Sequence, residues 1–198
     1  MTIYTPSVIP LGMTWDGTTL WNVDASSNIL YSLNPANGSL VRALRSPLFD
    51  TTDLAYDGLD LWVCSASDTN IFKINIFNGD LLKRLSLQRG SFTAMEYGQG
   101  LLWLVEAQSN KILKVDPETA EVLDSIQNPG IRADGLAFDG SHLWLSDAST
   151  LTVYQMDLSG RVLRRFLSPG QSPHGLAFDG RFLWNVDSDQ KIYQLRYR

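Results

Sequence analysis

The chain alternates short apolar segments with small polar turns. The apolar positions repeat with a period near two, and no segment sustains a 3.6-residue period with helix caps. The unit is clearest at Asp134–Asp147, which reads DGLAFDGSHLWLSD. An apolar strand meets an Asp-Gly turn, and a second apolar strand ends in Leu-Trp and a closing acid. Asp and Gly suit a tight hairpin because both tolerate positive φ. A Ser/Ala/Asn-rich loop follows, then a third strand with apolar residues such as Ile112, Leu113 and Val115. A second turn (NPANG, NIFNG, DPETA or DLSG) leads to a fourth strand such as Arg161–Leu167. Each copy predicts four short strands, so the chain reads as all-β.

The unit recurs. Trp21, Trp62, Trp103, Trp144 and Trp184 each follow a Leu and are spaced 41, 41, 41 and 40 residues apart. Ahead of them stand GMTWDG, DLAYDG, AMEYGQ, GLAFDG and GLAFDG. Four antiparallel strands in about 40 residues is the signature of a β-propeller blade. The repeats fall near residues 12–46, 53–87, 94–128, 135–169 and 175–198. The fifth stops after its third strand, Lys191–Tyr197, while residues 2–6 align with 165–169 of the fourth copy. The reading is one domain over residues 1–198, a closed five-bladed β-propeller whose N-terminal strand completes the C-terminal blade. Such closure removes a sheet edge.

Within a repeat, columns that keep one residue type are explained first by structure, and departures from a column are the candidates for function. The Trp column and the aromatic column six residues earlier (Trp15, Tyr56, Tyr97, Phe138, Phe178) read as inter-blade packing. The position three past each Trp reads Asp24, Ser65, Glu106, Asp147 and Asp187, a loop cap in which Glu106 is the unusual member. Seven before Trp the residues are Thr14, Ala55, Glu96, Ala137 and Ala177, with Glu96 the outlier. Ten before Trp stand Leu11, Thr52, Thr93, Asp134 and His174, on the rim that also carries the loops between second and third strands. Asp134 and His174 belong to adjacent blades, and His is a common acid/base. Asp53 is a further polar outlier. LWNVD occurs twice, placing Asn22 and Asp24 opposite Asn185 and Asp187 at the seam where the ring closes. His142, at the opposite turn, reads as plain surface.

Composition narrows the function classes. With 16 Lys and Arg against 21 Asp and Glu, net charge is −5, and no basic tract offers a phosphate track, so nucleic acid is not an expected partner. No run reaches the ~20 apolar residues of a membrane span, and MTIYTPSVIP lacks a signal-peptide pattern. The expectation is a cytoplasmic monomer that meets no membrane. The single Cys64 excludes an internal disulfide and any multi-cysteine metal site, and it falls in an apolar strand. Two histidines cannot form a three-His zinc site, and no phosphate-cradling loop or nucleophile elbow is present. No metal or other cofactor is expected, apart from Ca²⁺ held by rim carboxylates and carbonyls as a candidate.

The GLAFDG…LWxxD unit resembles the blades of NHL-repeat, strictosidine-synthase-like and virginiamycin B lyase-like propellers, which generally have six or seven blades. The count of five is similar instead to the plant-type glutaminyl cyclotransferases, and Asp139–Asp157 looks like a blade of that family. Its Phe-Thr-Gln-Gly-Leu and Glu-Ser-Thr segments are missing; Phe92-Thr93-Ala94-Met95-Glu96 is the nearest approach, and Glu106 lies two positions from the family's catalytic Glu. The resemblance implies the fold and leaves three functional readings open. The favoured one is a small-molecule or peptide-binding propeller using the axial pocket and rim, with Asn22, Asp24, Asp53, Asn185 and Asp187 as ligand contacts. The second is a cyclotransferase-like or lyase-like enzyme with Glu96 or Glu106 as acid/base, assisted by Asp134 or His174; it requires those four to converge on one pocket. The third is a protein-interaction or repeat scaffold.

Overall fold

A computed structural model describes residues 1–196. A three-residue strand, β1 (Thr2–Tyr4), opens the chain. The first blade follows, with β2 (Pro10–Trp15), β3 (Leu20–Asp24), β4 (Ile29–Leu33) and β5 (Leu40–Arg45) paired in that order. The second holds β6 (Thr51–Tyr56), β7 (Leu61–Ser65), β8 (Asn70–Ile74) and β9 (Leu81–Ser86). The third holds β10 (Phe92–Gly98), β11 (Leu101–Glu106), β12 (Lys111–Val115) and β13 (Val122–Gln127). The fourth holds β14 (Ala133–Phe138), β15 (Leu143–Asp147), β16 (Thr152–Met156) and β17 (Val162–Leu167). The fifth takes β18 (Pro173–Phe178), β19 (Leu183–Asp187) and β20 (Lys191–Leu195), and β1 pairs onto β20 as its outermost strand.

The innermost strands β2, β6, β10, β14 and β18 abut in that cyclic order, and β18 returns to β2. The ring is a closed five-bladed propeller, as the repeat predicts. β1 joins β20 with Ile3 opposite Ile192 and ends at Tyr4 opposite Lys191. Past Tyr4, Thr5 still gives its N–H to the Gln190 carbonyl in the same register, and Pro6 has no N–H with which to continue. The final strand ends at Leu195; the expected extension to Tyr197 lies outside the described residues. Among the described residues no helix is long and apolar enough to cross a membrane.

The core lies between blades. Each Trp packs against apolar residues of the next blade: Trp21 meets Leu54 and Val63, and Trp62 meets Met95 and Leu104. Trp103 meets Leu136 and Leu145, and Trp144 meets Leu176 and Leu183. Trp184 meets Met13 and Leu20 of the first blade, so the seam is packed like the other four interfaces. The Asp-Gly turns do more than reverse the chain. Gly140 takes φ 92°, as the turn needs, while the Asp139 carboxylate accepts the N–H groups of Ser141 and His142 and the Trp144 indole N–H at 2.9 Å. Asp16, Asp57 and Asp179 hold Trp21, Trp62 and Trp184 in the same way. In the third blade Gly98 replaces the Asp, and its carbonyl takes the Trp103 indole instead.

Candidate functional site

All five inner strands carry a register shift where they begin, between Pro10 and Met13, Thr51 and Asp53, Phe92 and Ala94, Ala133 and Gly135, and Pro173 and Leu176. A bulge re-aims the side chain it contains. The side chains within these bulges include Leu11, Thr52, Thr93, Asp134 and His174, the column ten before each Trp. They stand where the five inner strands begin, and from Thr52 to Asp134 each reaches toward the next blade. Thr52 Oγ1 donates to the Phe92 carbonyl at 2.7 Å, and Thr93 Oγ1 donates to the Ala133 carbonyl at 2.6 Å. Asp134 Oδ2 lies 3.4 Å from His174 Nδ1.

That last pair differs from the two threonines. Both side chains are nearly buried, with 12% of Asp134 and 8% of His174 exposed, yet neither Asp134 Oδ2 nor His174 Nδ1 makes a hydrogen bond. Arg132, from the loop ahead of β14, brings Nε to 3.0 Å from the same Asp134 oxygen. His174 Nε2 is 3.4 Å from Ser172 Oγ. The His174 backbone is fixed, because its carbonyl accepts Asn185 Nδ2 at 3.2 Å and also the Ser146 hydroxyl. The pair therefore joins two blades, with His174 Nδ1 lacking a hydrogen bond and Asp134 Oδ2 held by ion pairs alone, from Arg132 and His174.

The other sequence candidates are distributed elsewhere. Glu106 accepts both Nε and Nη2 of Arg89, at 2.5 and 2.7 Å, together with Ser109 Oγ. Burial works to raise its carboxyl, but Arg89 and Ser109 outweigh it and hold it below the usual range. Glu96 is buried toward the fourth blade, where it accepts the N–H groups of Tyr97 and Phe138, and burial pushes its carboxyl up to about 8. Its level in the fourth blade is Ala137, three residues and about 10 Å along the strand from Asp134. Glu96, Glu106 and the Asp134–His174 pair do not converge on one pocket.

Asp53 is wholly buried. The inner strands approach so closely here that a Cβ on Gly12 would lie 2.0 Å from Asp53 Oδ1, which explains the glycine. The Asp53 carboxylate accepts N–H groups from Leu54, Met95 and Met13, tying three blades together. Burial raises its carboxyl well above the ordinary value despite those bonds. Asn22 donates to the Gly12 carbonyl and Asn185 to the Gly175 carbonyl, while Thr5 and Ser168 donate to their side-chain oxygens. Both asparagines are wholly buried and bind backbone carbonyls of the inner strand of their own blades. Asp24 accepts Ile9 and Ser26 N–H groups, and Asp187 accepts Ser172 and Asp189 N–H groups, the loop-cap geometry. Cys64 is wholly buried and its thiol is pushed up, chiefly by burial. Among the described residues no three His, Cys, Asp or Glu side chains gather as a metal set.

The column comparison found Asp134 and His174 but not Arg132 or Ser172. Those two lie in irregular loops where the repeat has no fixed column, and only their places two residues ahead of Asp134 and His174 mark them.

Neither a protein-family model nor a curated protein matches this sequence. Among solved structures, Myxococcus xanthus glutaminyl cyclase aligns with a TM-score of 0.84 over 99% of this chain and 94% of that one, at 12% identity. Staphylococcus aureus virginiamycin B lyase aligns with a TM-score of 0.58 over 96% of this chain, at 19% identity, and this chain spans 66% of its length. A catalytically inactive form of the lyase, solved with quinupristin, aligns with the same TM-score at 18% identity. The likeness expected from the blades is met at the level of the fold.

Proposed function

We propose that this protein is a ligand-binding propeller whose site is the axial mouth, taking a small polar molecule or the polar end of a peptide. One observation carries the reading: Asp134 Oδ2 and His174 Nδ1, presented by bulges of neighbouring blades, face each other with no hydrogen-bond partner. Buried polar atoms left without partners in a rigid frame are satisfied by what binds there. Glu106, Asp53, Asn22 and Asn185 have their bonds supplied from within the fold and serve as its supports. Titrating isotope-labelled protein with small polar amines, acids and dipeptides, and following amide resonances, tests the proposal. Shifts clustered at Thr93, Asp134, Gly135 and His174, lost in His174→Ala, are expected. Shifts confined to the outer blades, or none at all, would refute it.

The likeness to glutaminyl cyclase along almost the whole chain supports a second reading, a cyclotransferase-like enzyme. The buried Glu96, which keeps its proton at neutral pH, would be its acid. The separation of Glu96 from the mouth weighs against it. Release of ammonia from peptides with N-terminal glutamine, abolished by Glu96→Gln, would establish this reading, and its absence would leave the binding reading alone.

A further inference from the structure

Resting on the mouth as the binding site, we infer that its ligand is a free α-amino acid with an apolar side chain, recognised by exchange of an ion pair already present in the protein. Two atoms make no hydrogen bond: His174 Nδ1, and Asp134 Oδ2, which is ion-paired to the exposed Arg132. When the His174 ring carries its proton on Nε2, toward Ser172 Oγ, Nδ1 is an acceptor. It then lies 3.4 Å from a second acceptor, Asp134 Oδ2, with no proton between them. Two converging acceptors call for a group with several hydrogens, and an ammonium supplies three.

Arg132 decides the rest. Its side chain is 60% exposed, and its Nε stands against the same Asp134 oxygen without hydrogen-bond geometry. An exposed guanidinium can be rehydrated if it leaves that oxygen. A simple amine entering here would place a second cation beside Arg132 and be repelled. A zwitterion avoids this, because its ammonium takes the place of Arg132 Nε on Asp134 and its carboxylate receives the released guanidinium. Arginine binds carboxylates through two parallel N–H donors, and an α-amino acid carries both charges on adjacent atoms, matching neighbouring Asp and Arg side chains. On the same rim Ile131, immediately before Arg132, is 75% exposed, and Ile9 and Phe49 are exposed ahead of their own inner strands. Of these, Ile131, next to Arg132 in the chain, would offer apolar surface to the ligand's side chain.

Calorimetric titration with L-phenylalanine, phenethylamine and hydrocinnamate separates the two halves of the argument. Phenylalanine is expected to bind at least about tenfold more tightly than either single-charge analogue. Arg132→Gln should weaken phenylalanine by about tenfold and strengthen phenethylamine by removing the competing cation, whereas Asp134→Asn should weaken both. Arg132 is exposed, so its substitution leaves the fold intact. Ile131→Ser should lower phenylalanine affinity without changing alanine affinity. Phenethylamine or hydrocinnamate binding as tightly as phenylalanine would overturn the inference, as would failure of phenylalanine to bind. If other probes still shift the mouth resonances in that event, the mouth stands as a site and only the amino-acid assignment falls.

Discussion

Glu96 sits where the other blades carry Thr or Ala, and burial moves its carboxyl from 4.5 to about 8. Below about pH 4.5 folded and unfolded chains both hold the proton, so the group places no load on folding. Between there and about 8 the unfolded chain releases its proton and the folded chain does not, so stability falls as pH rises through that window. Asp53, also raised by burial, acts with the same sign from a lower starting point. The turn aspartates act oppositely. Asp16, Asp57 and Asp139 are buried enough to be raised, but their hydrogen bonds, including those from the tryptophan indoles, outweigh burial and hold them low. Their contribution is lost as pH falls through the acid range. Glu96→Gln keeps an oxygen for the Tyr97 and Phe138 amides and removes the ionisation. Urea midpoints for this variant should vary less than the parent's between about pH 5 and pH 8, and should exceed it at the upper end. A slope equal to the parent's would show that Glu96 does not carry the effect. As a departure from its column, Glu96 was visible in the sequence; that it faces the fourth blade was not.

Strand β1 is three residues long, yet it covers the edge of β20 and buries Ile3 in the cluster around Trp184. Deleting buried methyl groups there costs both transfer energy and cavity energy. Ile3→Ala should therefore lower unfolding free energy by about 2–5 kcal/mol. Leu82→Ala, at an exposed position of the outer strand β9, should change it by less than about 0.5 kcal/mol. Equal, small effects of both would mean that β1 does not hold the last blade. Strand existence was legible throughout because the period-two pattern and Asp-Gly turns are local. The bulges were not. A bulge is one surplus residue in a ladder, and its partner lies on the next strand, so no single strand's pattern reveals it. The bulges aim Asp134 and His174, so the aim of the site was hidden even where its residues were named.

At the scale of the molecule, the five Trp clusters make each blade depend on the next all the way around the ring. Trp62→Ala inside the array and Trp184→Ala at the seam should each cost about 3–5 kcal/mol in chemical denaturation. A markedly smaller loss for Trp184 would mean that the seam is weaker than the other interfaces. The 41-residue Trp spacing, the unfinished fifth copy and the matching N-terminal segment determined the blade count and closure, because a sheet edge left open at both ends of a chain has one complementary solution. Sequence by itself also determined which residues break their columns. Only the tertiary structure decided what those exceptions do. It gave Glu106 to Arg89, Asp53 to three backbone amides and the asparagines to the inner strands of their own blades, and it left Asp134 Oδ2 and His174 Nδ1 facing each other without a hydrogen bond. The physical reason is that a hydrogen bond is settled by distance and direction between blades, and residues 40 positions apart in the chain carry no local record of it.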